Sequence, residues 1–173
     1  EAYVDVQNTA SLLMRMELAG FEVGVRWSGL VPLAESRLED HTSPFTSIHA
    51  LIILAKSGML EKARTMIGNM LAFTDLDQGP IGNTYRQVVV PAAEAFLAFV
   101  EDQPKQVLER LMPIRFLLYR MGGSHAQRDL FWQMMTRTAL QLEDRTLLGQ
   151  LHSEIRDFGF SMMEHRRAYA EVF

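Results

Sequence analysis

Gly122-Gly123-Ser124-His125-Ala126-Gln127-Arg128-Asp129-Leu130-Phe131-Trp132 reads as the end of one helix and the start of another. Two glycines accept left-handed dihedrals and so close a helix C-terminus. Ser124 is placed to accept from the first free amides of the next helix. Gln127, three residues on, is placed to reach back to the Ser124 amide, which makes a capping box. Three more helix, short break, helix units occur along the chain, so this turn is one joint of a repeating helical hairpin. No segment combines period-two alternation with hairpin turn residues. The sequence therefore predicts an all-α fold, a right-handed α–α superhelix of about four antiparallel helix pairs.

Downstream of the joint, a helix from Ala126 to about Leu142 turns Leu130, Phe131, Met134, Thr138 and Leu142 inward. The next uses Leu147, Leu148, Leu151 and Ile155 and is interrupted at Gly159, and residues 161–173, with Met162, Met163, Tyr169 and Phe173, read as a short terminal helix. Immediately upstream, Pro104 opens a helix whose face is Val107, Leu111, Ile114, Leu118 and Met121, with a bend at Pro113. Before it, Thr84–Val100 is apolar over most of its surface through Val88, Val89, Ala92, Ala95, Phe96, Phe99 and Val100, which predicts a central position and a kink at Pro91. Residues 77–83 contain Gly79, Pro80 and Gly82 and read as the main loop, dividing the chain into two halves of one stack.

The first half follows the same rule. A helix over 5–19 carries Leu12, Leu13, Met16 and Ala19, and Gly20 closes it. Its partner spans about Val25–Leu38 with Trp27, Leu30, Val31, Ala34 and Leu38 on one face, and Pro32 kinks it or marks its true start. Ser43 and Pro44 read as a cap and a first helical residue. They open a helix with Ile48, Leu51, Ile52 and Ala55 that stops at Gly58, and its partner carries Leu60, Ala63, Ile67, Met70 and Leu71. The units are therefore 5–39, 44–76, 84–121 and 124–160, all in one domain covering 1–173.

At 173 residues and 48% hydrophobic, the chain is long enough to bury a core. A net charge of −4 and a pI near 5.7 argue against nucleic acid as the partner. With no cysteine there is no disulfide, thiol nucleophile or thiolate zinc site. No apolar run reaches the roughly 18 residues of a spanning helix and no secretory leader pattern opens the chain, which predicts a cytoplasmic protein with no membrane partner. Opening on Glu1 and entering a helical pattern within a few residues, the chain reads as a piece of a longer protein.

Aligning the turns on Gly20, Gly58, Glu101 and Glu143 gives spacings of 38, 43 and 42 residues, and five positions later stand Val25, Ala63, Gln106 and Leu148. Glutamate in place of glycine predicts a different turn or a longer loop at the last two joints. The run Leu54-Ala55-Lys56-Ser57-Gly58-Met59-Leu60-Glu61-Lys62-Ala63 resembles the tetratricopeptide-repeat (TPR) turn. Three longer stretches are similar to the C-terminal part of the tetratricopeptide repeat protein 38 family: Glu17 through Trp27, Pro44 through Ala50, and Met121 through Phe131, the last holding the GGSHAQRD run. That resemblance implies a TPR-like solenoid. The upstream part of the family pattern, rich in His and Trp, is absent, and the family's activity is itself poorly defined.

His125, Asp129 and Trp132 fall at i, i+4 and i+7 on one helix face with Arg128 beside them. A polar cluster facing a groove is one reading. The plainer one, that Asp129 and Arg128 tie helices together while Trp132 packs, is favoured. His49 lies one turn into the third helix, placed to meet His125 or His41. No HExxH-type spacing or nucleophile elbow accompanies these histidines, so no metal, cofactor or catalytic set is expected. Arginine outnumbers lysine 14 to 3, with Arg110, Arg115, Arg120, Arg128 and Arg137 in two consecutive helices. Such guanidinium groups suit an acidic peptide tail or, with more weight, ion pairs with the 21 acidic residues.

The function this pattern predicts is a helical-repeat module that binds a peptide or protein on its concave face, with no catalysis of its own. The candidate binding residues are His49, Arg115, Arg120, His125, Arg128, Asp129 and Trp132. Two alternatives stand beside it. One is a structural or oligomerising region of a longer protein whose activity lies upstream, with self-association favoured if the apolar terminal segment is exposed. The other is a small-molecule pocket near His49, His125 and Trp132.

Overall fold

The computed structural model describes residues 3–157. The terminal segment 161–173 and the end of the 124–160 unit lie outside the described residues. Helix α1 runs Tyr3–Leu18. Its buried side chains are Gln7, Ala10, Ser11, Leu13, Met14 and Leu18, and Leu12, expected inside, is 51% exposed. The helix is turned because Gln7 is held inward by a hydrogen bond of 2.6 Å from its Nε2 to Thr46 Oγ1. The next stretch is not the expected long helix. Gly24–Leu30 is a 3₁₀ run and only Val31–Glu35 is α-helical (α2), with Pro32 marking its start. Trp27 is buried there and donates to Glu17 Oε1 at 2.6 Å.

Ser43 and Pro44 act as read: the Ser43 hydroxyl accepts from the Thr46 amide and Pro44 opens α3, Pro44–Lys56. Helix α4 spans Leu60–Leu76. The long loop expected at 77–83 is shorter, since Pro80 already begins α5, Pro80–Thr84. Asp77 closes the break, its carboxylate accepting from the amides of Gly79 and Gly82 at 2.7 and 3.0 Å. A single wide π-helical turn, Tyr85–Val89, joins α5 to α6, Val90–Val100. Pro91 explains it: the missing N–H and the ring's clash with the carbonyl four residues back disrupt an α-helical turn. The Val90 amide bonds instead to Tyr85, five residues back.

Pro113 likewise ends α7, Pro104–Leu111, in 3₁₀ turns at Met112–Ile114 and Leu118–Met121. Helices α8, His125–Gln141, and α9, Arg145–Asp157, complete the described chain. Every regular element among the described residues is helical.

Four helix ends share one backbone turn. At Gly58 the amide bonds to Ala55 and the following Met59 amide to Leu54; the same pair recurs at Gly20 and Phe21, at Asp102 and Gln103, and at Glu143 and Asp144. This is the Schellman arrangement, with a left-handed residue at its pivot. Gly20 and Gly58 have φ of 86° and 78°, and Asp102 and Glu143 both have 56°. Glutamate therefore does not force a different turn at the fourth joint. At the third the pivot is Asp102, one residue beyond Glu101, and the spacings become 38, 44 and 41. Five residues past the pivot now stand Ala63, Val107 and Leu148, all buried; Val25, on the 3₁₀ run of the first unit, is 85% exposed.

The core centres on α3, where Ser47 to Ala55 are all buried among α1, α2, α4 and α6. Leu71 of α4, expected inside, is 46% exposed. Helix α6 packs on α3, α4 and α7, and α8 on α7 and α9. Helix α1 packs against both α3 and α8, so the first and last described hairpins meet.

The Gly122-Gly123 joint is where they are fitted together. A Cβ on Gly123, at φ 76°, would fall 2.2 Å from Phe45 Cε2 of α3. The capping box at Ser124 is formed, and Gln127 also donates from Nε2 to Asn8 Oδ1 of α1 at 2.9 Å. Replacing Gly123 by Ala combines left-handed strain with overpacking and is expected to cost about 2–4 kcal/mol in urea unfolding. Glu143→Gly relieves the same strain without a clash and is expected to be stabilising by up to about 1 kcal/mol. Asp102→Gly gains less, because Asp102 Oδ1 accepts from Gln141 at 2.6 Å.

Candidate functional site

Three elements line a partly open cavity of about 90 Å³. Helix α1 contributes Val6 and Gln7, α2 and the turn after it Leu33, Ala34 and Arg37, and α3 Thr46, His49, Ala50 and Ile53. Most of the wall is aliphatic. The polar groups are the bonded pair Gln7 and Thr46, the Arg37 guanidinium, which is paired with Asp40 at 2.5 Å, and the imidazole of His49.

His49 is 2% exposed. Its Nδ1 lies 2.7 Å from the carbonyl of Phe45, one turn back on α3. A carbonyl only accepts, so Nδ1 carries the proton and Nε2 presents a lone pair. Nε2 has no hydrogen-bond partner. Burial pushes the imidazole pKa down to about 4, only partly offset by the bond to Phe45, so the ring is neutral at pH 7. The Phe45 ring lies against it at 4.3 Å between centroids. Phe45 thus seats the Gly122-Gly123 turn on one side and orients His49 on the other.

A second polar group lies on the opposite side of α3, since Ser47 stands two residues from His49. Tyr85, fully buried on the π-turn, shares a hydrogen bond of 2.6 Å with Ser47, whose hydroxyl also donates to the Asp40 carbonyl. His41 packs edge-on to Tyr85 and near Phe73, and burial lowers its pKa against the opposing pull of Asp40 and Glu39. Two bonds from Thr42 hold the Asp40 carboxyl down to about 2, helped by Arg37.

The other expected binding residues are dispersed. Arg115 donates to both carboxylate oxygens of Glu154 at 2.8 and 2.9 Å and lies 4.1 Å over the Phe116 ring, which makes it a bridge from the end of α7 to α9. That bridge, with help from Gln150, lowers the Glu154 pKa. Arg120 donates to Gln87. Arg128 donates to the carbonyls of Gly122 and Gly123 and braces the joint. Asp129 is buried and accepts from Gln133 at 2.7 Å, and Trp132 is buried with its ring 6.0 Å from Phe116. His125 is exposed at the start of α8. None of these six lines the His49 cavity. Among the described residues, no group of three or more His, Asp or Glu side chains is placed to hold a metal ion.

The edge carrying the turns has its own features. Lys56 pairs with Glu17 at 2.5 Å, Arg64 with Glu101, and Gln141 with Asp102, so each turn is joined to the next by a polar contact. Two open depressions flank the third turn. One, of about 280 Å³, includes Arg64, Glu94, Gln106 and Arg110, and the other, of about 520 Å³, includes Phe99, Asp102, Arg137 and Gln141.

No family model matches the chain, and no solved structure matches it with significance. Among the described residues no helix is long and apolar enough to cross a membrane.

The cavity residues other than His49 were not singled out from sequence. Gln7 and Thr46 carried a usable signal, since both are polar residues on faces that otherwise point inward. The depressed His49 pKa gives a signed prediction. Above pH 6.5 the imidazole is neutral folded or unfolded, whereas between pH 6.5 and about 4 only the unfolded chain takes up the proton, so stability falls as pH falls through that window. From about pH 7 to about pH 4 His49 alone accounts for a loss of about 3 kcal/mol. His41 adds a loss of the same sign. Urea unfolding of wild type and His49→Gln at about pH 7 and about pH 4.5 is expected to show a distinctly shallower acid loss in the variant. Equal losses would mean that His49 is charged in the folded chain.

Proposed function

We propose that this chain is a TPR-like helical-repeat module, a short right-handed stack of hairpins that acts by binding a protein or peptide and carries no catalysis of its own. The observation behind the proposal is the recurrence of one Schellman turn at Gly20, Gly58, Asp102 and Glu143, each in a helical hairpin that packs on its neighbour. Repeats of this kind bury a continuous core and leave one edge for recognition. The resemblance of three sequence stretches to the C-terminal part of the tetratricopeptide repeat protein 38 family supports the same reading.

The recognition surface we assign is the turn edge. Helix α1 packs between α3 and α8, whereas the depressions around the third turn are open and lined by groups suited to a polar or charged segment. Arg110, bonded to Glu94 at 3.1 Å but half exposed, and Arg137, exposed on α8, are its accessible guanidinium groups.

The test uses the whole chain, with mass measured by light scattering and capture of partners from the source lysate by wild type and by an Arg110→Ala/Arg137→Ala double variant. Exposed pairs of this type contribute under about 1 kcal/mol, so the variant is expected to fold as wild type does. The proposal predicts a specific captured protein whose affinity falls about tenfold or more in the variant. A self-associated chain that captures nothing would overturn it and favour a structural or oligomerising role within a longer protein.

A further inference from the structure

We infer that the larger depression beside the third turn, lined by Phe99, Asp102, Arg137, Leu140 and Gln141, takes an extended segment of a partner in which a basic and an acidic residue stand two positions apart. The basic residue meets Asp102 and the acidic one meets Arg137. The depression is part of the turn edge proposed above as the recognition surface, so its assignment rests on that reading. The two depressions of that edge differ in how their charges are satisfied. In the smaller, of about 280 Å³, Arg64 pairs with Glu101 and Arg110 with Glu94, so each guanidinium group already has a carboxylate. In the larger, of about 520 Å³, Arg137 and Asp102 line one hollow without pairing. Among the described residues Arg137 has no hydrogen-bond or ion-pair partner, and the Asp102 carboxylate accepts from the neutral side chain of Gln141, at 2.6 Å. Two opposite charges are thus left for a partner to match.

Opposite charges set the composition of that partner. A segment of one sign meets attraction at one end of the hollow and repulsion at the other, so a polyacidic tail that suits Arg137 is disfavoured at Asp102. Its spacing follows from α8. Gln141, which holds the Asp102 carboxylate, stands four residues after Arg137, about 6 Å along the helix axis. Residues i and i+2 of an extended chain point to the same side about 6.6 Å apart. Phe99 and Leu140 are half-buried, packed against the core on one side and lining the hollow on the other. That apolar surface suits the methylene stems of a lysine or arginine and a glutamate whose charged ends reach Asp102 and Arg137.

The probes are three capped pentapeptides with threonine at the first, third and fifth positions, which favours an extended chain. One carries arginine and glutamate at the second and fourth positions, one glutamate at both, and one arginine at both. Titrated into the isotopically labelled full chain at low ionic strength, the bipolar peptide is expected to give saturable shifts at the Asp102 amide, the Leu140 methyls and the Gln141 side-chain amide. It is expected to bind about threefold or more tightly than either single-sign peptide, the worth of one exposed ion pair. Arg137→Gln is expected to move the preference to the basic peptide. Asp102→Asn, which keeps a residue tolerant of the left-handed pivot, is expected to move it to the acidic one. Amide spectra of the free variants check that both remain folded. A wild-type preference for a single-sign peptide, an unchanged ranking in Arg137→Gln, or no saturable shift at these residues would overturn the inference. A partner captured from lysate that leaves these resonances unmoved would overturn it while the interaction module stands, whereas capture of nothing would remove both.

Discussion

Phe45 occupies the space that a side chain at residue 123 would need, and much of the molecule depends on that one contact. The ring fits only because Gly123 has no Cβ, and Gly123 is also at a φ that other residues rarely adopt. From this position Phe45 touches the turn that begins α8, packs on His49, and offers the carbonyl that fixes the His49 proton on Nδ1. Gln127, which completes the cap at the same turn, reaches Asn8 on α1. Helices α1, α3 and α8 are thus brought together at one joint, and the cavity lies between α1 and α3 beside it.

Along the opposite edge the repeated constraint is backbone rather than side chain. Each hairpin is closed by one left-handed residue, and at the second and third turns the residue after it, Met59 or Gln103, takes the N-cap position of the next helix; at the fourth turn the Asp144 carboxylate accepts from the Leu147 amide at 2.9 Å. Glycine satisfies the pivot twice. Asp102 and Glu143 satisfy it at a cost of about 1–2 kcal/mol each. Asp102 offsets part of that cost, since its carboxylate accepts from Gln141 of the following hairpin, which glycine has no group to do. The third turn therefore combines a strained backbone with a contact between repeats, and the two open depressions flank it.

The helical class, the Ser43 and Ser124 caps and the inward faces of α7 and α8 were legible in the sequence because each is set by neighbours within one or two turns. Features set by distant parts of the chain were not. The rotation of α1 depends on a glutamine held inside by Thr46, and the third pivot falls at Asp102, one residue past Glu101, where no glycine marks it. Pro91 was legible as an irregularity, but its form as a π-turn that buries Tyr85 was not. Of the candidate site, His49 was visible. Its cavity was not, because Val6, Gln7 and Leu33 come from two other elements, and a register of residues along one helix carries no information about what faces it. The arginines were legible as a group yet not by role, since Glu154, Gln87 and the Gly122 and Gly123 carbonyls lie far off or on backbone.

What separates this molecule from an open solenoid is the meeting of α1 with α8. The chain has no cysteine, so spin labels placed at Thr9→Cys and Ala126→Cys, both exposed positions near the Asn8 to Gln127 bond, report on that meeting without competing sites. Pulsed electron–electron resonance on the doubly labelled chain is the most direct measurement. A closed arrangement predicts one narrow distribution at the short end of the measurable range, broadened when Gly123 is replaced by Ala. A long or broad distribution in the otherwise unaltered chain would contradict the closure and, with it, the seating of Phe45 on which the joint depends.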